Sequence, residues 1–334
     1  VVEGAFRKIS SDRIMVSSSV ALFVGFVLAM IQLKVDRPML MLERLIQGGG
    51  WLEIPVIALY GGFLSMKMLD PSQSARWRLR SWTIFSVVFF GQLILGLSGF
   101  ERFLMTGELH LPVPMMILGG PVYRGELSFM TILFLSTLVL TGPAWCSHLC
   151  YFGPVENLIS STQRPVKGRI KHRGTIKTAV LIVLILVVLL LRRLNANMLL
   201  STLLGIGFGV AGVFIMVWLS RTQGKMIHCL VWCPIGTIVN YGKFLNPFRM
   251  YNDQTTCTLC NACTRFCRYD ALNREDIESG KRWTPCTYCG DCVPSCHLAS
   301  IKYRFFKLSA IKSRNLYIFL TVSTHAVFMA LARI

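Results

Sequence analysis

Apolar stretches long enough to cross a hydrocarbon layer recur along the chain, at 14–33, 51–69, 81–100, 126–144, 175–191, 199–219 and 315–332. Crossing a bilayer core about 30 Å thick takes roughly 20 helical residues. Lipid offers no partner to a free N–H or C=O, so each stretch is confined to a helix that satisfies its own backbone. That restriction removes most folds at once and predicts a mainly α, polytopic transmembrane protein of about seven spans. Composition agrees: 53% of the residues are apolar and only 15% charged, against about 25% charged in soluble domains. Arg7, Lys8 and Arg13 precede the first stretch as in a secretion signal. The run is too long for one, and no small-residue cleavage site follows, so it reads as a retained anchor.

The formal net charge of +19 raises the question of nucleic acid, and its distribution answers it. With the N-terminus inside, the inner segments hold 27 of the 35 Lys and Arg residues. That asymmetry is the positive-inside signature and survives when the long segment after the sixth span is left out. No nucleic-acid recognition motif accompanies the charge. The run Arg164, Lys167, Arg169, Lys171, Arg173, Lys177 reads as an inner-leaflet contact, where each cation is worth about 1 kcal/mol against anionic lipid. Membrane lipid is therefore the expected partner, and the inner (cytoplasmic) membrane the expected location.

All twelve cysteines fall into four groups on the side assigned to the reducing compartment, where ligation is a better expectation than disulfides. Cys257, Cys260, Cys263 and Cys267 form one C-x2-C-x2-C-x3-C run; Cys286, Cys289, Cys292 and Cys296 form another. This is the spacing of two-cluster ferredoxins, in which three cysteines wrap one cubane and the fourth reaches the neighbouring cluster. The crossed pattern assigns Cys257, Cys260, Cys263 and Cys296 to one [4Fe-4S] cluster, and Cys286, Cys289, Cys292 and Cys267 to a second. A zinc ribbon would need two C-x2-C pairs rather than two runs of four. The proline usual after the fourth cysteine is replaced by Arg268 and His297.

The remaining groups, Cys146 with Cys150 and Cys229 with Cys233, are C-x3-C pairs. On a helix, residues four apart share a face, so two such pairs just beyond spans ending on one membrane side can offer four thiolates. Three readings stay open: a third iron–sulfur site, a redox-active dithiol or metal-handling site, and ordinary buried cysteines. His148 and His228 stand beside these thiols as further donors or as polar anchors.

In this order of parts (spans, a C-x3-C, more spans, a C-x3-C-P ending at Pro234, then two ferredoxin motifs) the chain resembles the membrane-bound polyferredoxins of the NapH and NosR kind, a group that includes the CcoG type. The resemblance implies a membrane electron relay between the quinone pool and a redox partner, with other subunits of a respiratory complex as partners and the clusters facing the cytoplasm. The flavin-bearing region of NosR-like members is missing from this sequence, so flavin is expected only on a partner or on an absent N-terminal region. The CcoG-type alternative is a maturation or copper-handling factor that uses the C-x3-C thiols.

Domain expectations follow: 1–233 transmembrane with both C-x3-C motifs, 234–306 a two-cluster ferredoxin-like domain with membrane-surface flanks, and 307–334 a last transmembrane helix. In the first flank, Phe244, Phe248, Met250 and Tyr251 are expected to point inward. Ionisable groups in or near spans are costly and merit a functional hypothesis. Glu53, His110, Arg124, Glu126 and His325 on the outer side are the candidate quinone residues, with Gln92 inside the third span. The sequence shows no nucleotide-binding glycine loop and no repeat other than the duplicated ferredoxin motif. Catalysis by this chain alone is not expected, and its place is that of an electron-transfer subunit.

Overall fold

The computed structural model describes residues 2–100, 103, 113–166, 168–282 and 284–331, without the side chains of 2–10, 129 and 198. The chain divides into two compact units, 1–110 with 307–334, and 111–306.

The first unit is helical. It holds α1 (Val2–Lys34), α2 (Met41–Leu45), α3 (Gly50–Leu69), α4 (Ser74–Leu97) and α13 (Ala310–Leu331). Its core is a dry seam of Val20, Val24 and Leu28 from α1, Leu64 and Met68 from α3, and Ile318, Val322 and Ala326 from α13. Pro55 lies inside α3, and the carboxylate of Glu53, two residues before it, accepts the Leu42 N–H at 2.7 Å. Arg314 donates to the Met68 and Leu69 carbonyls at the C-terminal end of α3. A cation is the fitting partner for those last, otherwise orphaned acceptors.

The second unit holds α5 (Met116–Arg124), α6 (Phe129–Thr141), α7 (Gly153–Ser160), α8 (Arg173–Arg193), α9 (Met198–Ile215), α10 (Arg221–Gln223), α11 (Pro234–Gly242) and α12 (Arg274–Glu278). Side chains at the N-caps fix two helix starts: Ser128 accepts from the Thr131 N–H and Asn197 from the Leu200 N–H, satisfying donors that have no intrahelical partner. Ile117 of α5 is buried, and the approach of α5 to α8 is filled by Met115, Leu184 and Val188.

Among the described residues, six helices are long and apolar enough to cross a membrane: Ser11–Lys34, Gly50–Leu69, Ser74–Leu97, Met130–Leu149, Arg173–Arg193 and Leu199–Gln223. The stretch expected at 315–332 does form a helix of sufficient length, α13. It is not among those six, and Thr321, Ser323 and His325 on it are buried.

The flanks of the ferredoxin motifs are not free surface segments. They pair as an antiparallel two-stranded sheet, β1 (Phe248–Asn252) with β2 (Ile301–Phe305), in the register Phe248 to Phe305, Met250 to Tyr303 and Asn252 to Ile301. The alternation of the strands buries Phe248, Met250 and Tyr303. Phe244 was expected inward and is 64% exposed, because it lies past the end of α11 in the turn before β1.

Candidate metal centres

Both ferredoxin runs adopt one backbone course. The second residue after the first cysteine has positive φ in each (Leu259 at 55°, Tyr288 at 56°), as does the residue after the second cysteine (Asn261 at 59°, Gly290 at 80°). The same recurs three residues after each fourth cysteine, at Asp270 and Ala299. Alternating left- and right-handed residues turn successive N–H groups inward, the arrangement of an anion-binding nest. In parallel fashion, the Ala271 N–H donates to Cys267 Sγ at 3.3 Å and the Ser300 N–H to Cys296 Sγ at 3.2 Å.

These loops and the sheet enclose two cavities. One, of about 170 Å³, is lined by Cys257, Cys260, Cys263 and Cys296 together with Ile277 and Ile301. The other, of about 20 Å³, is lined by Cys267, Cys286, Cys289 and Cys292 with Met250 and Tyr269. Each cavity thus presents four sulfurs in a mostly apolar wall, a donor set suited to an iron–sulfur cubane. Burial pushes the Cys267 thiol up to about 12 and the Cys263 thiol up to about 11. Neutral thiols are not ligands, so thiolates here require a positive centre. Arg282 sits between the sets and bonds Cys292 Sγ at 3.4 Å and Asn252 Oδ1 at 2.8 Å. Its burial alone would lower its pKa, yet the sulfurs of Cys292, Cys286, Cys267 and Cys263 hold it above the ordinary arginine value.

Gly290 allows a close approach as well as a left-handed turn: an added Cβ would lie 2.9 Å from the Tyr303 hydroxyl, which itself donates to the Tyr288 carbonyl. Gly290→Ala is expected to cost at least the roughly 1–2 kcal/mol of a left-handed non-glycine residue. It should show as faster bleaching of cluster absorbance in air, in comparison with an alanine change at the exposed Leu245.

Where the family proline is missing, Arg268 ties the second unit together. Its guanidinium donates to the Ser160 carbonyl at 2.7 Å and the Gly224 carbonyl at 3.0 Å, and its own carbonyl accepts from the Met226 N–H.

The C-x3-C pairs do not lie on α-helices. Cys146 is in a π-helical turn, Trp145–Leu149, and Cys229 in another, His228–Trp232. The second cysteine of each pair closes its turn in extended conformation, with Cys150 N–H bonded to the Trp145 carbonyl and Cys233 N–H to the His228 carbonyl. Cys233 is itself the N-cap of α11, which starts at Pro234, whereas α7 starts at Gly153-Pro154, after Tyr151 and its N-cap Phe152. The Gly236 N–H points at Cys233 Sγ at 3.5 Å. A sulfur at a helix N-terminus meets free N–H groups and a favourable dipole. The correspondence extends through Gly153 and Gly236 to Asn157 and Asn240 at one constant offset, a repeat that the sequence reading missed because four shared residues in twelve is a faint signal.

Cys146, Cys150, Cys229 and Cys233 lie near enough for their charges to act on one another across the two pairs. Burial, then the neighbouring Glu156 and Cys233, push the Cys229 thiol well up. Glu156, fully buried, organises this region. Its Oε1 accepts from Ser220 Oγ at 2.8 Å and His228 N–H at 2.7 Å, and its Oε2 from Cys229 N–H at 3.1 Å. Sequence reasoning passed over it. Its ligand atom, with those of His228 and Cys229, lies in a group within 4.8 Å. The His228 ring stacks on Phe152, while His148 Nδ1 is 2.9 Å from Ser147 Oγ. Tyr269 OH donates to the Cys146 carbonyl at 2.9 Å and Ser147 Oγ to the Thr287 carbonyl at 3.2 Å, joining the first π turn to the ferredoxin loops.

The expected lipid-facing basic run is divided. Arg164 and Lys171 are exposed, Arg169 pairs with Asp276, and Arg173 and Lys177 are each only 5% exposed; Lys167 lies outside the described residues. The candidate quinone residues are divided between the two units and the residues not described. Glu53 and His325 belong to the first unit, Arg124 and Glu126 to the second, where both are exposed, and His110 lies outside the described residues. His325 is 2% exposed and its Nε2 is 3.0 Å from the Tyr60 hydroxyl. The Gln92 amide is buried and makes no hydrogen bond among the described residues.

Helices of membrane-crossing length and gathered thiols together define a membrane-type helical protein with an iron–sulfur binding domain. Residues 125–171, which contain Cys146 and Cys150, match the family described as 4Fe-4S binding domain. The chain is also similar to a protein of Escherichia coli (strain K12) named as an electron transport protein, YccM, with 25% identity over 229 residues, 62% of this chain. The match spans 60% of that relative's length. No solved structure matches the chain.

Proposed function

We propose that this chain is a membrane electron-transfer subunit that carries electrons between the quinone pool and a redox partner. In this reading it holds [4Fe-4S] clusters at Cys257, Cys260, Cys263 and Cys296 and at Cys286, Cys289, Cys292 and Cys267. A third sits at Cys146, Cys150, Cys229 and Cys233. The observation that carries the reading is the sorting of the ferredoxin-spaced sulfurs into two cavities of four, each taking three from one run and one from the other. The match of the 4Fe-4S binding domain across Cys146 and Cys150 supports the third site, and the name of the similar protein supports electron transport.

When bound, such clusters supply one-electron couples whose potentials follow local charge, hydrogen bonds and exposure. The chain's own residues set those conditions. N–H groups at Ala271 and Ser300 disperse sulfur charge, Arg282 offsets it, and the Tyr269 and Ser147 bonds hold the ferredoxin loops against the first π turn. In this reading the loops face the cytoplasm at the inner membrane, an orientation that the lysine and arginine distribution along the sequence supports. On the quinone side, His325 with Tyr60 offers a proton-exchanging pair in apolar surroundings, the chemistry a quinol headgroup needs.

In purified protein handled without oxygen, a quinol analogue is expected to reduce the clusters rapidly. Cys260→Ser and Cys296→Ser should alter the same EPR signal, and Cys267→Ser and Cys289→Ser the other; pairing of Cys267 with Cys260 instead would break the crossed assignment. One observation favours a second reading, the copper-handling factor: the close Glu156, His228 and Cys229 donors. Copper retained there, with no reduction by quinol, would replace the electron-relay reading.

A further inference from the structure

Lys177 lies in the second turn of α8, in a helix whose surface is otherwise largely open to its surroundings. Its side chain is nevertheless withdrawn, and its Nζ donates to the Cys229 carbonyl at 2.9 Å. The room for it comes from Gly236, where an added Cβ would stand 3.0 Å from Nζ. The Thr237 hydroxyl donates to the Lys177 backbone carbonyl and holds α8 against the start of α11.

A buried ammonium needs a compensating anion. The buried Lys225 has the ordinary solution, a carboxylate, Asp270 Oδ1, at 2.7 Å. Lys177 makes no such ion pair among the described residues. Its Nζ instead ends on the backbone of Cys229, inside the second C-x3-C pair, and the thiols whose charge acts on it are Cys146, Cys233 and Cys229, drawn from both pairs. One turn earlier on α8, Arg173 is influenced by Asp270, Cys267 and Asp276; Lys177 is a buried cation hydrogen-bonded to the four-thiol site.

We infer that Lys177 is a positioning residue whose fixed positive charge sets the reduction potential of the centre held by Cys146, Cys150, Cys229 and Cys233. The inference rests on the reading of that site as a cluster site. A cluster gains one negative charge on one-electron reduction, and an adjacent ammonium favours the more negative state. Removing the charge therefore makes reduction harder, whereas replacing one cation by another leaves it nearly unchanged.

The test is a dithionite titration of the full chain, followed by EPR, with iron and acid-labile sulfide measured on the same samples. Wild type, Lys177→Met, Lys177→Gln and Lys177→Arg are compared. Lys177→Met is expected to keep about twelve irons, four for each of three cubanes. The couple of one centre should move to more negative potential by at least about tenfold in equilibrium constant, ~59 mV for one electron, while Lys177→Arg stays with wild type. An unmoved potential in iron-replete Lys177→Met overturns the inference. Should Lys177→Met lose iron, Lys177→Gln decides, since its amide still donates to the Cys229 carbonyl without charge. A shifted potential in it, or iron loss in both neutral variants but not in Lys177→Arg, supports the role; a wild-type potential, or equal loss in Lys177→Arg, overturns it. A wild type with only about eight irons would remove the third centre itself, a result distinct from an unmoved potential.

Discussion

Replacing Cys146 and Cys229 together by serine is expected to lower the iron content from about twelve to about eight atoms per chain, with acid-labile sulfide falling in step. The two residues come from different π turns, so the double change removes one sulfur from each half of the four-thiol site. The ferredoxin loops have their own eight cysteines, their own nests of N–H groups and the β1–β2 sheet, none of which depends on those sulfurs. Two EPR signals should therefore survive unchanged in the variant. Iron and sulfide that stay at the wild-type level would return Cys146 and Cys229 to the status of buried thiols or a dithiol.

Changing Glu156 to leucine is expected to be nearly as damaging without touching a sulfur. The carboxylate takes hydrogen bonds from the Ser220 hydroxyl and from the N–H groups of His228 and Cys229, the residues that open the second π turn. Leucine leaves those donors buried and unpaired, at about 1–3 kcal/mol each. The loss should appear as a lower melting temperature and release of the iron held by the four-thiol site, with the ferredoxin signals retained. Glu156→Gln keeps acceptor capacity on one oxygen and should fall between. Full iron and wild-type melting in Glu156→Leu would show that the turn holds its shape by other means.

The extent to which the sequence announced this arrangement differs between its parts. Crossing helices were legible because lipid imposes length and composition on a segment irrespective of its neighbours. The ferredoxin cysteines were legible because cluster geometry imposes close spacing within the chain. The C-x3-C pairs were legible as pairs, but not in their conformation. Helix spacing suggested that both thiols share an α-helical face, whereas the turns are π-helical and end at the second cysteine, followed at once by α11 from Pro234 and, three residues on, by α7 from Gly153. Glu156 and Lys177 were hidden for a related reason. A glutamate in a short amphipathic segment and a lysine at the end of a basic run look like surface residues, and only the tertiary contacts of α7, α8 and the second π turn reveal them as buried. Phe244 shows the opposite error, an aromatic residue assigned inward that the turn before β1 leaves outside.

The duplicated π turns carry a consequence for biogenesis. Neither half alone offers more than two sulfurs, and α8, long enough to cross a membrane by itself, lies between them in the chain. On the proposed reading, the tetrad forms only once the segment carrying Cys229 and Cys233 has been made and has met the first π turn. Loading of such a centre would wait for that encounter, while the ferredoxin loops and α13 still follow in the chain. A chain arrested before it would carry a thiol pair with nothing to hold, so a filled site would report that the two π turns have met.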